Sequence, residues 1–217
     1  MTPVPDTSPL GDSAITVQFG TSKSAELLQR IQTTASHLRS AHLPHVEDVV
    51  PAYLAITVFY DSLATTYEEM KNVLIDAIDT PFAEESSGSP AREHVIPVRY
   101  DGPDLLVVAE HCHMTVDEVV GVHSATTYTV DILGFVPGFA YMSEVDKRIQ
   151  LPRRSAPRTR VPAGSVAIAG AHTGVYPLDT PGGWHILGST TTRMFDASRD
   201  QPALLAAGDV VRFERLR

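Results

Sequence analysis

Apolar and polar positions in the first 80 residues follow two periods, one typical of strands and one typical of helices. Residues 13–20 alternate between apolar and polar, with Ile15 and Val17 on one side, and residues 46–53 and 53–61 show related strand patterns. Segments with apolar residues at helical spacing follow the first and the third strand. The order β-α-β-β-α predicts a small α+β domain with a ferredoxin-like layout.

Two helix starts are marked by a capping box, in which a Thr and a Glu three residues later satisfy each other's backbone N–H groups. Thr66 with Glu69 precedes the second helix of the first domain, and Thr115 with Glu118 precedes a helix in the second half of the chain. We therefore predict helices beginning at these two places.

The second half of the chain has a different organisation. Residues 83–93 are polar and rich in Ser, Gly and Pro, which is typical of a linker. We predict two domains, residues 1–88 and residues 89–217. After residue 126, short strand patterns alternate with Gly and Pro turns, which predicts an antiparallel barrel or sandwich.

One apolar segment does not fit a simple strand. The stretch GFVPGFAYM, residues 134–142, is among the most apolar in the chain, yet two glycines and a proline interrupt it. A core strand does not need these residues, so the segment calls for another explanation.

Composition narrows the possible functions. The 217 residues have a formal net charge of −9, which argues against a general nucleic-acid-binding protein. A lone cysteine cannot form a disulfide within the chain, which fits a reducing compartment. We see neither a secretory signal nor an apolar run long enough to span a membrane, and we expect a cytoplasmic protein.

Basic residues are concentrated in one segment. Six of the seventeen Lys and Arg residues lie within the fourteen positions 147–160. Guanidinium groups suit carboxylates and phosphates, and prolines in this segment restrict where the arginines point. An exposed loop paired with acids is the alternative, and we favour an anion-binding site or a subunit contact.

Residues 161–177 are rich in glycine and include Ser165, His172 and Thr173. The segment lacks the Gly-Lys-Ser/Thr ending of a phosphate-binding loop, and Ser165 is not in a G-x-S-x-G nucleophile elbow. On these motifs alone a barrel with tight hairpins is the better explanation. For Trp184, which follows Pro and two glycines, we expect packing on a hairpin rather than a ligand-binding wall.

The histidines give weak signals by themselves. His111, Cys112 and His113 are consecutive and no second ligand pair stands at zinc-like spacing, so we predict no bound metal. His123 precedes the strand that enters the GFVPGF segment, but an isolated histidine is more often structural than functional.

Several motifs together resemble a known family. GDSAITVQFG, HSATTYTVDILGFVPGFAYM, LPRRSAPRTRVPAGSVAIAGAHTGVYPLDTPGGWHILG and AAGDVVRFERL are similar to the family of allophanate hydrolase subunit 1 and the 5-oxoprolinase B subunit, which also includes a sporulation histidine-kinase inhibitor. The resemblance implies a C-terminal cyclophilin-like β-barrel. It also implies a partner, a homologue of subunit 2 (the C subunit in 5-oxoprolinase), and possibly a third subunit.

The activity implied by the resemblance is ATP-dependent opening of 5-oxoproline to glutamate by the complex. The chain alone is then expected to be inactive, and ATP, with Mg²⁺, is used by the assembly. A carboxyltransferase-like role in urea or allophanate metabolism and non-enzymatic inhibition of a sensor histidine kinase stay open, because one fold serves all three.

Within this interpretation the kinked segment forms a rigid wall, partly uncovered in the isolated chain, that a partner covers or that lines a shared cleft. Two departures from the family pattern are His172, where glutamine is usual, and Ala140, where proline is common. No catalytic residue is assigned. The predicted substrate-binding residues are His123, Phe135, Pro137, Arg154, Arg158, Ser165, His172 and Thr173.

Overall fold

The computed structural model describes residues 6–22, 24–79 and 91–216. The chain divides into two compact units, Met1–Pro90 and Ala91–Arg217. The predicted domain boundary, between residues 88 and 89, lies outside the described residues. None of the helices in the described part is long and apolar enough to cross a membrane.

The N-terminal unit is a four-stranded antiparallel sheet with two helices. The sheet order is β1-β2-β4-β3. Side chains from the sheet and both helices form its core, including Ile15, Val17, Ile31, Val58 and Leu74. The elements are β1 (Asp6–Pro9), β2 (Ala14–Gln18), α1 (Ala25–Ser40), β3 (Val46–Pro51), β4 (Ala55–Tyr60) and α2 (Tyr67–Asp79).

This order contains the predicted β-α-β-β-α series with one additional strand, β1, in front of it. β1 has the sequence DTSP and is mostly exposed at the sheet edge, so it has no apolar alternation to detect. The capping box before α2 is confirmed, because the Thr66 N–H donates to the Glu69 carboxylate over 2.9 Å. The ferredoxin-like layout stays a prediction.

The C-terminal unit is built on a seven-stranded sheet with the order β12-β9-β10-β7-β6-β13-β5. Among the described strands only β13 and β5 pair in parallel. The strands of this unit are β5 (Glu93–Val98), β6 (Thr127–Leu133), β7 (Ala140–Met142), β8 (Arg158–Val161), β9 (Ser165–Ala169), β10 (His172–Val175), β11 (Thr180–Gly182), β12 (His185–Ser189) and β13 (Val210–Arg215), with β8 and β11 forming a separate pair.

The two edges of this sheet approach each other and nearly close a barrel. Arg99, just after β5, and Ser189, in β12, exchange two backbone hydrogen bonds of 2.8 Å. Gly188 permits this contact, since a Cβ there would lie 2.2 Å from the Arg99 carbonyl oxygen. The predicted barrel is therefore confirmed as a nearly closed sheet, while its likeness to cyclophilin stays a prediction.

Two helices, α3 (Leu105–His111) and α4 (Val116–Ala125), add their apolar side chains to the barrel core. The capping box before α4 is confirmed in both directions, with hydrogen bonds of 2.7 and 3.2 Å between Thr115 and Glu118. A second, smaller group of buried side chains includes Phe139, Tyr176 and Trp184. This second group surrounds the candidate site.

Candidate functional site

The interrupted segment GFVPGF is the loop of the β6–β7 hairpin. Val136 N–H donates to the Gly134 carbonyl over 2.9 Å, which forms a γ-turn centred on Phe135 with φ 70°. Phe139 N–H then donates to the Val136 carbonyl over 3.0 Å. Pro137 and Gly138, with φ 81° at Gly138, occupy the central positions of this second turn, as in a type II turn. Pro137 and Gly138 suit the central positions of the second turn, where Gly138 supplies the positive φ.

This loop directs its two phenylalanines to different environments. Phe135 is 57% exposed, and Pro137 is also exposed, whereas Phe139 is 1% exposed. A positive φ is unusual for a bulky residue, and such strain is found disproportionately at functional sites. Phe135 and Pro137 are therefore uncovered, as expected of a partly uncovered wall, while Phe139 is buried. Whether a partner covers this segment stays a prediction.

Phe139 is the centre of an aromatic cluster. Its ring centroid lies 4.9 Å from that of Tyr141, 5.3 Å from Trp184 and 5.4 Å from Tyr176, all in edge-to-face arrangements. Phe135 packs edge-on against it at 5.6 Å. Edge-to-face contacts are the favoured geometry for such rings, so the cluster is a rigid apolar surface.

A cleft of about 100 Å³ opens on this cluster. Trp184 belongs to its wall, so the expectation of simple hairpin packing was too narrow. The backbone N–H of Trp184 bonds to the Tyr176 hydroxyl. Burial raises the pKa of that hydroxyl, although the charges of Arg153 and Arg158 act against the rise. The lining residues are Phe135, Phe139, Tyr141, Arg153, Tyr176, Pro181, Gly182, Gly183 and Trp184.

Arg154 and Arg158, the arginines predicted to bind substrate, do not line the cleft. Arg154 Nη1 and Arg158 Nη2 each lie 2.8 Å from Oδ1 of Asp104, and Asp104 Oδ2 accepts the Ile186 N–H at 2.8 Å. The Asp104 side chain is 2% exposed. The two arginines thus hold a buried carboxylate, and their substrate-binding role stays a prediction.

Burial by itself would raise the pKa of Asp104. The hydrogen bond from Arg158, the Ile186 N–H and the charges of both arginines outweigh that effect and hold the pKa below its ordinary value. Asp104 is therefore ionised at neutral pH. The contact fixes residues 154–158 against Ile186, close to Gly183, whose carbonyl accepts the Arg154 N–H over 2.8 Å.

Unpaired buried polar atoms are concentrated around the same segments. Arg154 Nε, Arg158 Nη1, Thr180 Oγ1 and His185 Nδ1 are buried without a hydrogen-bond partner among the described atoms.

His123 and Thr173 are brought together, but inside the barrel. His123 Nε2 lies 2.8 Å from Thr173 Oγ1, and its Nδ1 lies 2.8 Å from the Tyr100 hydroxyl. Both His123 and Thr173 are fully buried, and neither lines the cleft. Their predicted contact with substrate is not supported by this placement, and it stays a prediction.

Ser165 and His172 lie on strands beside the cluster. The Ser165 hydroxyl donates to the Pro162 carbonyl over 2.7 Å. His172 Nδ1 lies 3.0 Å from the Met142 carbonyl, and its ring stands edge-on to Tyr141 with centroids 6.3 Å apart. His172, at the position of the usual glutamine, therefore contacts one ring of the cleft. In residues 6–22, 24–79 and 91–216 no group of three metal-ligating side chains occurs.

Sequence reasoning missed Asp104 and did not separate Arg153 from its neighbours. Asp104 is distant in sequence from the arginines that it contacts, and no motif marks it. Arg153 was grouped with the basic segment, yet in the structure it is the arginine that lines the cleft. Arg153 precedes β8 and Trp184 follows β11, so their proximity can be inferred only when the pairing of β8 with β11 is known.

A glycine pair offers a test of the cleft geometry. We expect Gly182→Ala to destabilise the C-terminal unit by about 1–3 kcal/mol, because a Cβ there would lie 2.3 Å from the buried Tyr176 hydroxyl. Gly183→Ala is the matched control, since its Cβ would meet Pro157 at an ordinary 3.6 Å. Chemical unfolding followed by Trp184 fluorescence measures both. Equal stability of the two variants would contradict the geometry.

Several known proteins are similar to this chain in sequence and in fold. The 5-oxoprolinase B subunit of Bacillus subtilis (strain 168) is 38% identical over 95% of this chain and 91% of its own length. That of Escherichia coli O157:H7 is 38% identical over 94% of this chain and 93% of its own length. The crystal structure of TTHA0988 matches with a TM-score of 0.81 at 37% identity, over 94% of this chain and 40% of that protein. The chain thus spans about two fifths of TTHA0988.

The Kluyveromyces lactis urea amidolyase matches with a TM-score of 0.76 at 16% identity, over 98% of this chain and 15% of that protein. This likeness concerns the fold alone. The family model described as "Carboxyltransferase domain, subdomain C and D" matches residues 5–205. The chain belongs to this family, as a relative of the 5-oxoprolinase B subunits.

Proposed function

We propose that this chain is the B subunit of an ATP-dependent 5-oxoprolinase that opens 5-oxoproline to glutamate. The observation on which the proposal rests is the 38% identity to the Bacillus subtilis B subunit over nearly the full length of both proteins. The chain acts with a homologue of subunit 2, the C subunit of such an enzyme, and with a third subunit.

The chemistry of the cleft supports a need for partners. Among the described residues, its lining side chains include no carboxylate, imidazole, thiol or aliphatic hydroxyl. The Tyr176 hydroxyl, with its raised pKa, is protonated at neutral pH and cannot act as a base there. Lactam opening needs a nucleophile and proton transfer, so other subunits supply the reacting groups and this chain contributes to binding.

Two features argue for a nucleotide site elsewhere in the assembly. The sequence has no Gly-Lys-Ser/Thr phosphate-binding loop, and the cleft, at about 100 Å³, is small. We place the binding and use of ATP, with Mg²⁺, in another part of the assembly. The similarity to urea amidolyase, at 16% identity, concerns the fold and favours no second function.

Reconstitution tests the proposal. The chain is co-expressed with its subunit 2 homologue and the third subunit, and glutamate release from 5-oxoproline is measured with and without ATP. We expect turnover only with all subunits and ATP, and none with this chain alone. The control assembly omits this chain, and urea replaces 5-oxoproline in a parallel assay. A complete assembly that turns over urea, or neither substrate, would disprove the proposed function.

A further inference from the structure

We propose that Arg153 and the aromatic cleft bind a small cyclic carboxylate, with the Arg153 guanidinium holding the carboxylate and the rings enclosing the rest of the molecule. The inference rests on the proposed function for its choice of 5-oxoproline as the ligand. It names the binding residue and the part of the ligand that this residue recognises.

Arg153 differs from the neighbouring arginines in having no acidic partner among the described residues. Arg148 pairs with Asp146, Arg154 and Arg158 share Asp104, and Arg160 pairs with Asp179. Arg153 makes no hydrogen bond or ion pair with any described residue, and it is exposed at the edge of the cleft.

The charge around the cleft is unbalanced as well. Arg154 and Arg158 together face a single carboxylate, so this pairing leaves one positive charge uncompensated in addition to that of Arg153. Both Arg153 and Arg158 act on the pKa of Tyr176, which places their charges near the wall of the cleft. A guanidinium without a partner in such a field favours an anion, and its planar donors match a carboxylate.

The shape of the cleft restricts the size of that anion. Its volume of about 100 Å³ is small for a ligand site and favours a small molecule. A small ring fits, with its charged group at the open edge beside Arg153. The cleft depends on Gly182, because a Cβ at this position would meet the Tyr176 hydroxyl at 2.3 Å.

The walls combine aromatic rings with polar groups. Phe135, placed by the strained γ-turn, stands exposed at the edge, and the rings of Phe139 and Trp184 line the cleft beside the Tyr176 hydroxyl and the Arg153 guanidinium. Small-molecule sites commonly combine apolar rings with a few placed polar groups. A long acidic peptide would need several cations along its path, whereas Arg153 is the one cation among the described residues that lines this cleft.

The chain carries its own probe, since Trp184 is its single tryptophan and lines the cleft. Fluorescence is titrated with 5-oxoproline, with 2-pyrrolidinone, which keeps the lactam ring and lacks the carboxylate, and with acetate. We expect a saturable change with 5-oxoproline and much weaker binding of both fragments. Arg153→Gln should weaken 5-oxoproline binding roughly 10- to 100-fold, and Arg153→Lys should restore part of the loss.

Arg160→Gln is the matched control, because Arg160 belongs to the same segment but pairs with Asp179 away from the cleft. It should bind 5-oxoproline like the parent chain. Equal affinity for 2-pyrrolidinone and 5-oxoproline, or equal effects of the two arginine variants, would overturn the inference. So would the absence of any saturable change in both the chain and the assembled complex.

The assembled complex separates this inference from the proposed function. Arg153→Gln should raise the KM for 5-oxoproline while the subunits still assemble. Turnover with an unchanged KM would refute the role of Arg153 and leave the function intact. If the complete assembly bound 5-oxoproline but did not turn it over, the proposed function would be refuted, and Arg153 would still be a carboxylate-binding residue. Loss of assembly, with no ligand effect on fluorescence, would assign Arg153 to an acidic side chain of the partner instead.

Discussion

Asp104→Asn is expected to lower the free energy of unfolding of the C-terminal unit by about 3–5 kcal/mol, which makes it one of the most damaging single substitutions. The carboxylate accepts hydrogen bonds from Arg154, Arg158 and the Ile186 N–H while almost completely buried. The neutral amide removes the charge that both guanidinium groups require. The amide NH₂ of asparagine would also point at one of the N–H groups that now donate to the Asp104 carboxylate, and two donors cannot form a hydrogen bond. Unfolding in guanidinium chloride, followed by Trp184 fluorescence, measures the loss in this unit.

Asp179→Asn provides the comparison for this substitution. Asp179 also accepts from an arginine, Arg160, and from a backbone N–H, that of Ala163, but it is exposed. Exposed pairs contribute little, so its loss should cost less than about 1 kcal/mol. If both variants unfolded at the same denaturant concentration, the structural role assigned to Asp104 would be wrong.

The contribution of Asp104 to the free energy of unfolding is expected to decrease as the pH falls. Its pKa is lower in the folded unit than in the unfolded chain, so the unfolded state binds the proton more readily. The stabilisation is present above the ordinary aspartate pKa and is lost as the pH falls through the lower folded value. Arg154 and Arg158 stabilise the same carboxylate. A loss of activity in variants of either arginine can be interpreted only after the stability of the variant has been measured.

Local signals in the sequence predicted most elements correctly. Both capping boxes begin helices where they were expected, because Thr and Glu three residues apart satisfy backbone groups without help from the rest of the fold. Strand β1 was missed because its residues are polar and exposed, and only the pairing with β2 makes it a strand. The predicted ferredoxin-like layout depends on the number and order of the strands. The additional edge strand β1 changes both.

The candidate site was predicted in part. The Pro-Gly pair in residues 134–139 correctly marked an unusual segment, since the turn there has a positive φ at Gly138. Which arginine lines the cleft was beyond sequence reasoning, because consecutive residues in an extended segment point in different directions. Arg154 and Arg158 are the predicted substrate-binding arginines, and both contact Asp104, whereas Arg153 lines the cleft. That choice depends on contacts between distant segments.

The C-terminal unit is expected to lose stability as the pH falls below 6.5, with His123 as a main cause. Burial lowers the pKa of His123 from 6.5 to about 3. Between pH 6.5 and about pH 3, His123 is protonated in the unfolded chain and neutral in the folded unit. The free energy of unfolding therefore decreases by up to about 1.4 kcal/mol for each pH unit in this range. Unfolding free energies measured at intervals from pH 7 to pH 4 test the slope.

The hydrogen bonds around buried His123 fit its neutral form. The Thr173 hydroxyl donates its proton to the Ala167 carbonyl over 3.1 Å, so it accepts from His123 Nε2–H. His123 Nδ1 is then the acceptor for the Tyr100 hydroxyl. Each donor in this chain of hydrogen bonds has one acceptor. A second ring proton, on Nδ1, would need the Tyr100 hydroxyl oxygen as its acceptor, and the Tyr100 O–H would then lose Nδ1 as its own acceptor. We expect nitrogen NMR to find the neutral Nε2–H tautomer at pH 5 as well as at pH 7.

His123→Gln isolates this contribution, because glutamine keeps a donor and an acceptor but does not titrate in this range. We expect it to be less stable at neutral pH by about 1–3 kcal/mol, through imperfect hydrogen bonds, and to lose stability less steeply on acidification. His111→Gln, at the exposed end of α3, removes a histidine without touching the network and should keep the parent slope. If His123→Gln and the parent chain showed the same pH dependence, or if His123 titrated near 6.5, the buried network would not hold the imidazole neutral.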